Sequence, residues 1–419
     1  MRIPALTLTS SLIVSLCLAA STSATAQALQ EQYLLAKQND ANLQASLHRH
    51  QSTQEYANIA DAAFRPVLSG NASQSFNTEN GSSSDTYDAS LALNLRLDAF
   101  YAADSTHASI QQSTLNLQAS QQSLLAEVIS NYFDVVKQQA QIDSISAQIR
   151  SAKQSLASIQ KQSQLGLATQ LQASNVENNL QQLHLSLLQT QQRLQQARNN
   201  LTASTGTLVN DNLPGISLAT QLPVMDNLQL DHWWQEAEKN NLNLLAATAG
   251  VQKSYHDYQQ MDSKKYPTGR ISANHYSYKS DDVTLRISGN FYDGGLNKAQ
   301  TQQARLNWLA SQASLTDSQR STKQQLHGML YNLRNNSQQI QLQESLLDTA
   351  KASLSATQKE YELGVTDLVA VLEAEQKVAT NEVNLINARY DLLVYQSNLK
   401  QLAGSLDETD LLILDEMLD

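Results

Sequence analysis

The sequence predicts a mainly α-helical protein with a small β part, built as long antiparallel coiled-coil helices in two tandem repeats that each contribute two strands. Three observations lead there. The 419 residues are rich in Gln, Ser, Ala, Leu and Asn but hold only 5% aromatic residues, 13 Gly and 5 Pro, a balance that favours long polar helices over a sheet-rich globule. The chain also repeats itself in register: Ala36, Asn42, Leu43, Ala45 and Pro66 recur 201 positions later as Ala237, Asn243, Leu244, Ala246 and Pro267. Finally, a short stretch after each of those prolines alternates apolar and polar residues with the period of two that marks a strand with one oily face.

Residues 1–28 read as a processing segment, with Arg2 at a charged start, a mostly apolar run from Leu6 to Ala20 and small residues for cleavage at Ala24-Thr25-Ala26 or Ala26-Gln27-Ala28. The only cysteine, Cys17, lies within it, preceded by Leu16 rather than by the small residue that a lipid anchor needs. The first repeat, 29–206, opens with a helix and passes through Pro66 into strands at about 67–76 and 87–97. Between them Asn77 to Thr86, rich in Gly, Ser, Asn and Asp, reads as a loop. In the second strand Tyr87, Ala89, Leu91, Leu93, Leu95 and Leu97 share one face, while Asp88, Ser90, Ala92, Asn94, Arg96 and Asp98 share the other. A proline-free helix then runs over 102–165 to a tip at 165–167, and a helix returns to Gly206. The inter-repeat segment 207–242 holds Pro214, Pro223 and Trp233-Trp234, whose expected role is packing of a small side domain.

The second repeat, 243–404, follows the same plan, with strands at about 270–278 and 283–292, a helix over 296–363 and a tip at 363–365; residues 405–419 close the chain. The offset is now 198, pairing Leu165-Gly166 with Leu363-Gly364 and Gly206 with Gly404. Leu180, Leu187, Leu194 and Leu201 form a heptad column in one return arm, matched by Val378, Leu385, Leu392 and Leu399 in the other. These helices alone fit a fibrous coiled coil equally well. The strands separate the two readings, because eleven residues at about 3.3 Å each, tilted as barrel strands are, would cross roughly 25 Å of hydrocarbon. Leu91, Leu93, Leu95, Leu285 and Ile287 are then lipid-facing. Four strands cannot close a barrel around water, so several copies must pool them.

The net charge of −11 argues against nucleic acid as a partner. No phosphate loop, dinucleotide fingerprint, nucleophile elbow or zinc-helix motif occurs, so the expectation is no catalytic residue, no metal and no cofactor. His48 and His50 are two residues apart, a spacing that points them to different helix faces. Three classes remain open on these grounds: export channel, periplasmic coiled-coil adaptor or scaffold, and secreted enzyme. An adaptor would carry one helical hairpin flanked by strand-rich domains, and an enzyme would need a convergent polar constellation.

Three runs make the whole chain beyond the leader resemble the TolC family of outer-membrane efflux channels: Phe291-Tyr292-Asp293-Gly294-Gly295, the second-tip segment from Tyr361 to Gly364 with Leu368 to Ala374, and Gly404 to Leu412. The last of these is similar to the family's namesake. The resemblance implies a Gram-negative outer-membrane protein whose helices extend into the periplasm. It implies a homotrimer pooling its strands into a 12-stranded barrel, passive exit of drugs, small toxic compounds or proteins, and docking to a periplasmic adaptor (membrane fusion protein) and an inner-membrane transporter of the RND, MFS or ABC class. It places a periplasmic gate at the second tip. There the family's two aspartates are matched by Ala370 and Glu373, its gate tyrosine by Tyr361, its arginine by Thr366, and the first-repeat aspartate by Gln172. Thr366 and Gln172 cannot form an ion pair, so a lock here must use neutral hydrogen bonds, each worth about 1 kcal/mol, or helix packing. Asp367 is a further acid near the tip, expected to be a solvated residue of the first helical turn. Leu165, Gly166, Leu167, Leu363, Gly364 and Val365 are the expected adaptor-docking tips, on the added ground that a helix-reversal glycine leaves backbone groups free for a partner.

Overall fold

The computed structural model describes residues 28–77, 79, 81–166, 168–209, 212–225, 227–290 and 292–418. The expected leader up to residue 27, the tip residue Leu167 and Phe291 of the glycine motif lie outside the described residues. In order, the elements are α1 (Ala28–Asn39), α2 (Ala41–Ala62), β1 (Val67–Phe76), β2 (Ser83–Leu95), α3 (Leu97–Gln164), α4 (Gln170–Thr205), α5 (Leu230–Asn240), α6 (Leu242–Ser263), β3 (Thr268–Tyr276), β4 (Asp282–Ser288), α7 (Leu296–Glu362), α8 (Leu368–Ala403) and α9 (Glu408–Asp415).

Helices α3 and α7, with 68 and 67 residues, are each about 100 Å long at 1.5 Å per residue. Both are flanked by pairs of shorter helices. Helix α3 packs on α2 and α6 over one half and on α4 and α8 over the other, while α7 packs on α6 and α8. The result is a wall of four rods, with α2 and α4 forming the first, α3 the second, α6 and α8 the third, and α7 the fourth. The heptad columns lie in its seams: Leu180 and Leu201 are buried on α4, and Leu385, Leu392 and Leu399 on α8.

Where α2 meets α4 and α6 meets α8, the repeat shows as paired helix caps. Asp40 accepts a hydrogen bond from the Leu43 amide (2.6 Å) and, 201 residues on, Asn241 accepts one from Leu244 (2.8 Å). At the tips Thr169 caps α4 and, 198 residues on, Asp367 caps α8. Gly206 and Gly404 end the return helices at φ +70° and +79°. A Cβ on Gly404 would stand 2.1 Å from the Asn240 carbonyl oxygen, so only glycine fits that turn. Around this level lies the largest core, in which α1, α3, α8 and α9 bury Leu29, Tyr132, Phe133, Leu393 and Leu411. The Tyr132 hydroxyl donates to the Pro214 carbonyl (2.9 Å) and the Ile216 amide donates to the Tyr390 hydroxyl (2.8 Å), tying the inter-repeat segment to this hub. Trp233 and Trp234 pack against a second cluster built on Leu326, Leu330 and Leu333 of α7.

All four strands join one antiparallel sheet in the order β1-β2-β3-β4. Three of the four depart from the expected bounds, for reasons of pairing. Strand β2 begins at Ser83 rather than at residue 87, because β1 extends to Phe76 and its partner must match it, with Phe76 opposite Ser83. It ends at Leu95, since Arg96 is the N-cap of α3 and is paired with Asp98 in the first turn. Leu97 is therefore helical, not part of the oily strand face. Strands β3 and β4 start earlier and stop earlier than expected. The last pair is Thr268 with Ser288, beyond which Gly289 meets Pro267, a residue with no amide to donate. The glycine motif that follows caps α7: Asp293 accepts from the amides of Gly295 (3.0 Å) and Asn297 (2.9 Å).

Candidate functional site: the sheet and the helical tips

Cross-strand register gathers the alternating residues into two faces. One carries Leu68, Leu91, Leu93, Leu95, Ile271, Val283, Leu285 and Ile287, because Leu91 stands between Leu68 and Ala273, Leu93 beside Ile271, and Ile271 beside Leu285. The other carries Ser69, Asn71, Asp88, Ser90, Asn94, Arg270, Ser272, Asn274, Thr284 and Arg286. The apolar face is open, unlike that of a water-soluble sheet. Leu68 is 75% exposed, Leu285 68% and Ile287 72%, while Ala92 and Ser272 on the opposite side are buried. Leu91 and Leu95 are also exposed, and Leu93 is half-buried. An apolar face left this open in the protomer suits hydrocarbon better than water as its outer solvent. No helix among the described residues is long and apolar enough to cross a membrane, so the sheet is the part suited to lipid.

At the far end of the wall the two tips are exposed. Leu165 and Leu363 are the C-caps of α3 and α7, 74% and 79% exposed, and Val365 is 75% exposed. Gly166 and Gly364 both sit at φ +75° with open space around them. The second tip closes on itself: the Val365 amide donates to the Glu360 carbonyl (2.8 Å) and the Gly364 amide to Tyr361 (3.0 Å), a Schellman motif. This corrects the expectation that the turn leaves backbone groups free, since the glycine turn satisfies them internally. What the tip presents is apolar side chains.

The gate residues, Gln172 at the first tip and the others at the second, are not joined into a lock among the described residues. Asp367 is the N-cap of α8 and accepts from the Ala370 amide (3.1 Å), one position before the first turn where it was expected. Gln172 forms a capping box: its amide oxygen accepts from the Thr169 backbone (2.9 Å) and its own amide donates to the Thr169 hydroxyl (3.3 Å). Within one protomer no hydrogen bond links Thr366 to Gln172 among the described residues. Tyr361 is half-buried in the last turn of α7, and Glu373 is exposed on the second turn of α8. Lys377 stands one turn further on the same exposed face.

What joins the two tips is an apolar cluster. Ile159 of α3, Ala173 and Val176 of α4 and Leu372 of α8 are buried together, with Leu368 and Val369 against them. Just above, Ser151 of α3 donates to Glu375 of α8, and Lys137 pairs with Asp391. Sequence reasoning missed this cluster. Its only local signal is the spacing of Leu368 and Leu372, four apart on one face of α8. His48 and His50 take separate partners, Gln51 (3.1 Å) and Ser113 (3.3 Å).

An oily, outward sheet with open edges, continued by a wall of helices about 100 Å long, defines an outer-membrane channel protomer. Comparison with known proteins agrees. The profile of the outer membrane efflux protein family matches residues 33–207 and 233–405, and the chain belongs to that family. It is 26% identical to the alkaline protease secretion protein AprF of Pseudomonas aeruginosa over 91% of this chain and 85% of AprF. It is 25% identical to the outer membrane protein TolC of Escherichia coli K12 over 94% of this chain and 85% of TolC. Among solved structures, the outer membrane protein VceC of Vibrio cholerae superposes with a TM-score of 0.78 at 15% identity, covering 90% of this chain and 96% of VceC. The protein is thus an outer-membrane efflux channel.

Proposed function

We infer that three copies of this chain pool their strands into one 12-stranded barrel and their helices into a tunnel through the periplasm. The observation that carries the inference is the four-stranded sheet whose outer strands, β1 and β4, have open edges beside an apolar outer face. In lipid each unpaired backbone group costs several kcal/mol, so the edges must be met by other copies. The helices support the same assembly. Leu306, Leu309, Tyr331, Leu342 and Leu346 are exposed on α7, as are Leu185 and Leu188 on α4 and Tyr56 and Ile59 on α2, the two outer rods of the wall.

The tips are the docking points for a periplasmic adaptor: Leu165 and Leu363 with Val365 offer apolar contacts on turns held by Gly166 and Gly364. An inner-membrane transporter of the RND, MFS or ABC class supplies the energy for export. The names of AprF and of PrtF of Dickeya chrysanthemi, the latter a proteases secretion protein, favour a secretion role beside efflux. The gate closes by packing of Leu372 against Ile159 and Val176 rather than by ion pairs, with Tyr361, Thr366, Asp367 and Gln172 shaping the turns. Three copies of Glu373 form a single carboxylate ring that favours cations, softened by Lys377 one turn away. Native mass measurement in mild detergent and single-channel recording test this reading together. A trimer with cation preference that falls in Glu373→Gln is expected; a well-folded, membrane-inserted monomer overturns it.

A further inference from the structure

The polar face of the sheet sorts its charges along the strands. Towards the hairpin loops the acids are engaged: Asn71 donates to Asp88 (3.0 Å) and Asn274 to Asp282 (2.7 Å). Towards the helices the charge reverses. Arg270 of β3 stands directly opposite Arg286 of β4, with Asn94 of β2 on its other side. Both arginines are exposed, and neither has a carboxylate partner among the described residues. Like charges placed directly across a strand pair destabilise it, and the neighbouring polar-face pair, Ser272 with Thr284, shows that neutral side chains serve the sheet equally well. The pair also lines a recess of about 430 Å³ at the junction of sheet and helices, together with Asn94, Arg96 and Lys264. Arg96 is neutralised by Asp98. Lys264, Arg270 and Arg286 are left as three uncompensated cations around one hollow, in a chain of net charge −11.

We propose that this recess binds an oxyanion group, a phosphate, sulfate or carboxylate, carried by solutes on the polar side of the sheet. Paired guanidinium forks match the two or three oxygens of such a group, and their mutual repulsion is relieved when the anion sits between them. The site deepens the channel reading: if the polar face lines the duct, three recesses form an electropositive ring at the foot of the barrel, beyond the carboxylates of the entrance. A lipid phosphate has the same chemistry, but the recess opens on the face opposite the oily one, so the ligand comes from the aqueous duct.

Calorimetric titration of inorganic phosphate into the protein in an uncharged sugar detergent at low salt tests the site directly. Arg270→Gln/Arg286→Gln is expected to weaken binding about tenfold or more, as for the loss of charge-assisted contacts. Arg270→Lys/Arg286→Lys, which keeps the charge but loses the fork, should fall between the two. Removing one repulsion leaves folding intact, and an unchanged thermal midpoint checks this; should the Gln variant fail to fold, the Lys variant decides. Equal phosphate affinity in wild type and variants overturns the proposal, as does binding of anionic lipid but not of phosphate. Loss of the channel reading is a separate outcome: phosphate binding that persists in a protein giving no conductance in a planar bilayer removes the duct and leaves the site.

Discussion

The sheet and the helical hub solve opposite problems with the same side chains. In the hub Leu29, Tyr132, Phe133 and Leu393 are fully buried; in the sheet Leu68, Val283, Leu285 and Ile287 are largely exposed, while Ser272 is sheltered. On the proposed reading, leucine is inside one region and outside the other because the outer solvent changes from water to hydrocarbon along a single chain. Apolar exposure in this molecule therefore reports the surroundings of each segment and is no sign of poor packing.

The comparison is broken most severely in the hub. Phe133 is fully buried between Tyr132 (ring centroids 5.8 Å) and Tyr390 (5.3 Å). Phe133→Ala should cost about 3 to 5 kcal/mol, from lost burial plus the cavity left behind, read as a lower thermal midpoint of the detergent-solubilised protein. In the sheet the expected cost has the reverse polarity. Leu93→Arg should cost about 2 to 4 kcal/mol if Leu93 lies near the bilayer midplane, and Asn94→Arg, one residue along and on the polar face, much less. Folding yield into vesicles measures both, and equal yields would remove the lipid-facing assignment. A smaller effect falls on both halves of the repeat. Asn241 caps α6 and also donates to the Leu402 carbonyl (2.7 Å), so Asn241→Ala should cost about 1 kcal/mol or somewhat more. Asp40→Ala at the matching position loses only a cap, and the difference between the two midpoints gives the second bond.

What could be read beforehand follows the range of the signal. The alternation of Leu91, Leu93 and Leu95 is local, so the oily face was legible, and so were the heptads and the repeat. Strand ends were not, because Ser83 to Thr86 carry no apolar pattern and are strands only through their partners Ser73 to Phe76. The matched caps Thr169 and Asp367, or Asp40 and Asn241, escape a search for identical residues, since each pair differs in type while sharing a role. At the tips, the family resemblance made Glu373 and Leu363 candidates. The cluster of Ile159, Val176 and Leu372 draws on three helices, and no single stretch of sequence carries it.

The smallest effect sets a buried charge of the hub against an exposed one. Asp415 is buried, its Oδ1 accepts from the Leu29 amide (2.9 Å), and its Oδ2 has no partner. Burial raises its pKa above the usual value, outweighing the backbone bonds that lower it. Glu408 on the same helix is shifted down, chiefly by its hydrogen bond from Lys37 (2.8 Å). The signs are opposite. A raised acid makes the folded state hold the proton more tightly, so its contribution is most favourable below the unfolded pKa and is lost as pH rises through the folded pKa. A depressed acid contributes above its unfolded pKa and loses that as pH falls through the folded value. Lowering the pH through the carboxylate range should therefore gain stability through Asp415 and lose it through Glu408. Asp415→Asn keeps an acceptor for the Leu29 amide and removes the charge, so it should abolish the gain due to Asp415 and leave the loss due to Glu408, giving a steeper net fall in stability as the pH drops through the carboxylate range. Thermal midpoints across that range decide it: an identical profile in Asp415→Asn would mean that Asp415 is no less comfortably ionised in the hub than in the unfolded chain.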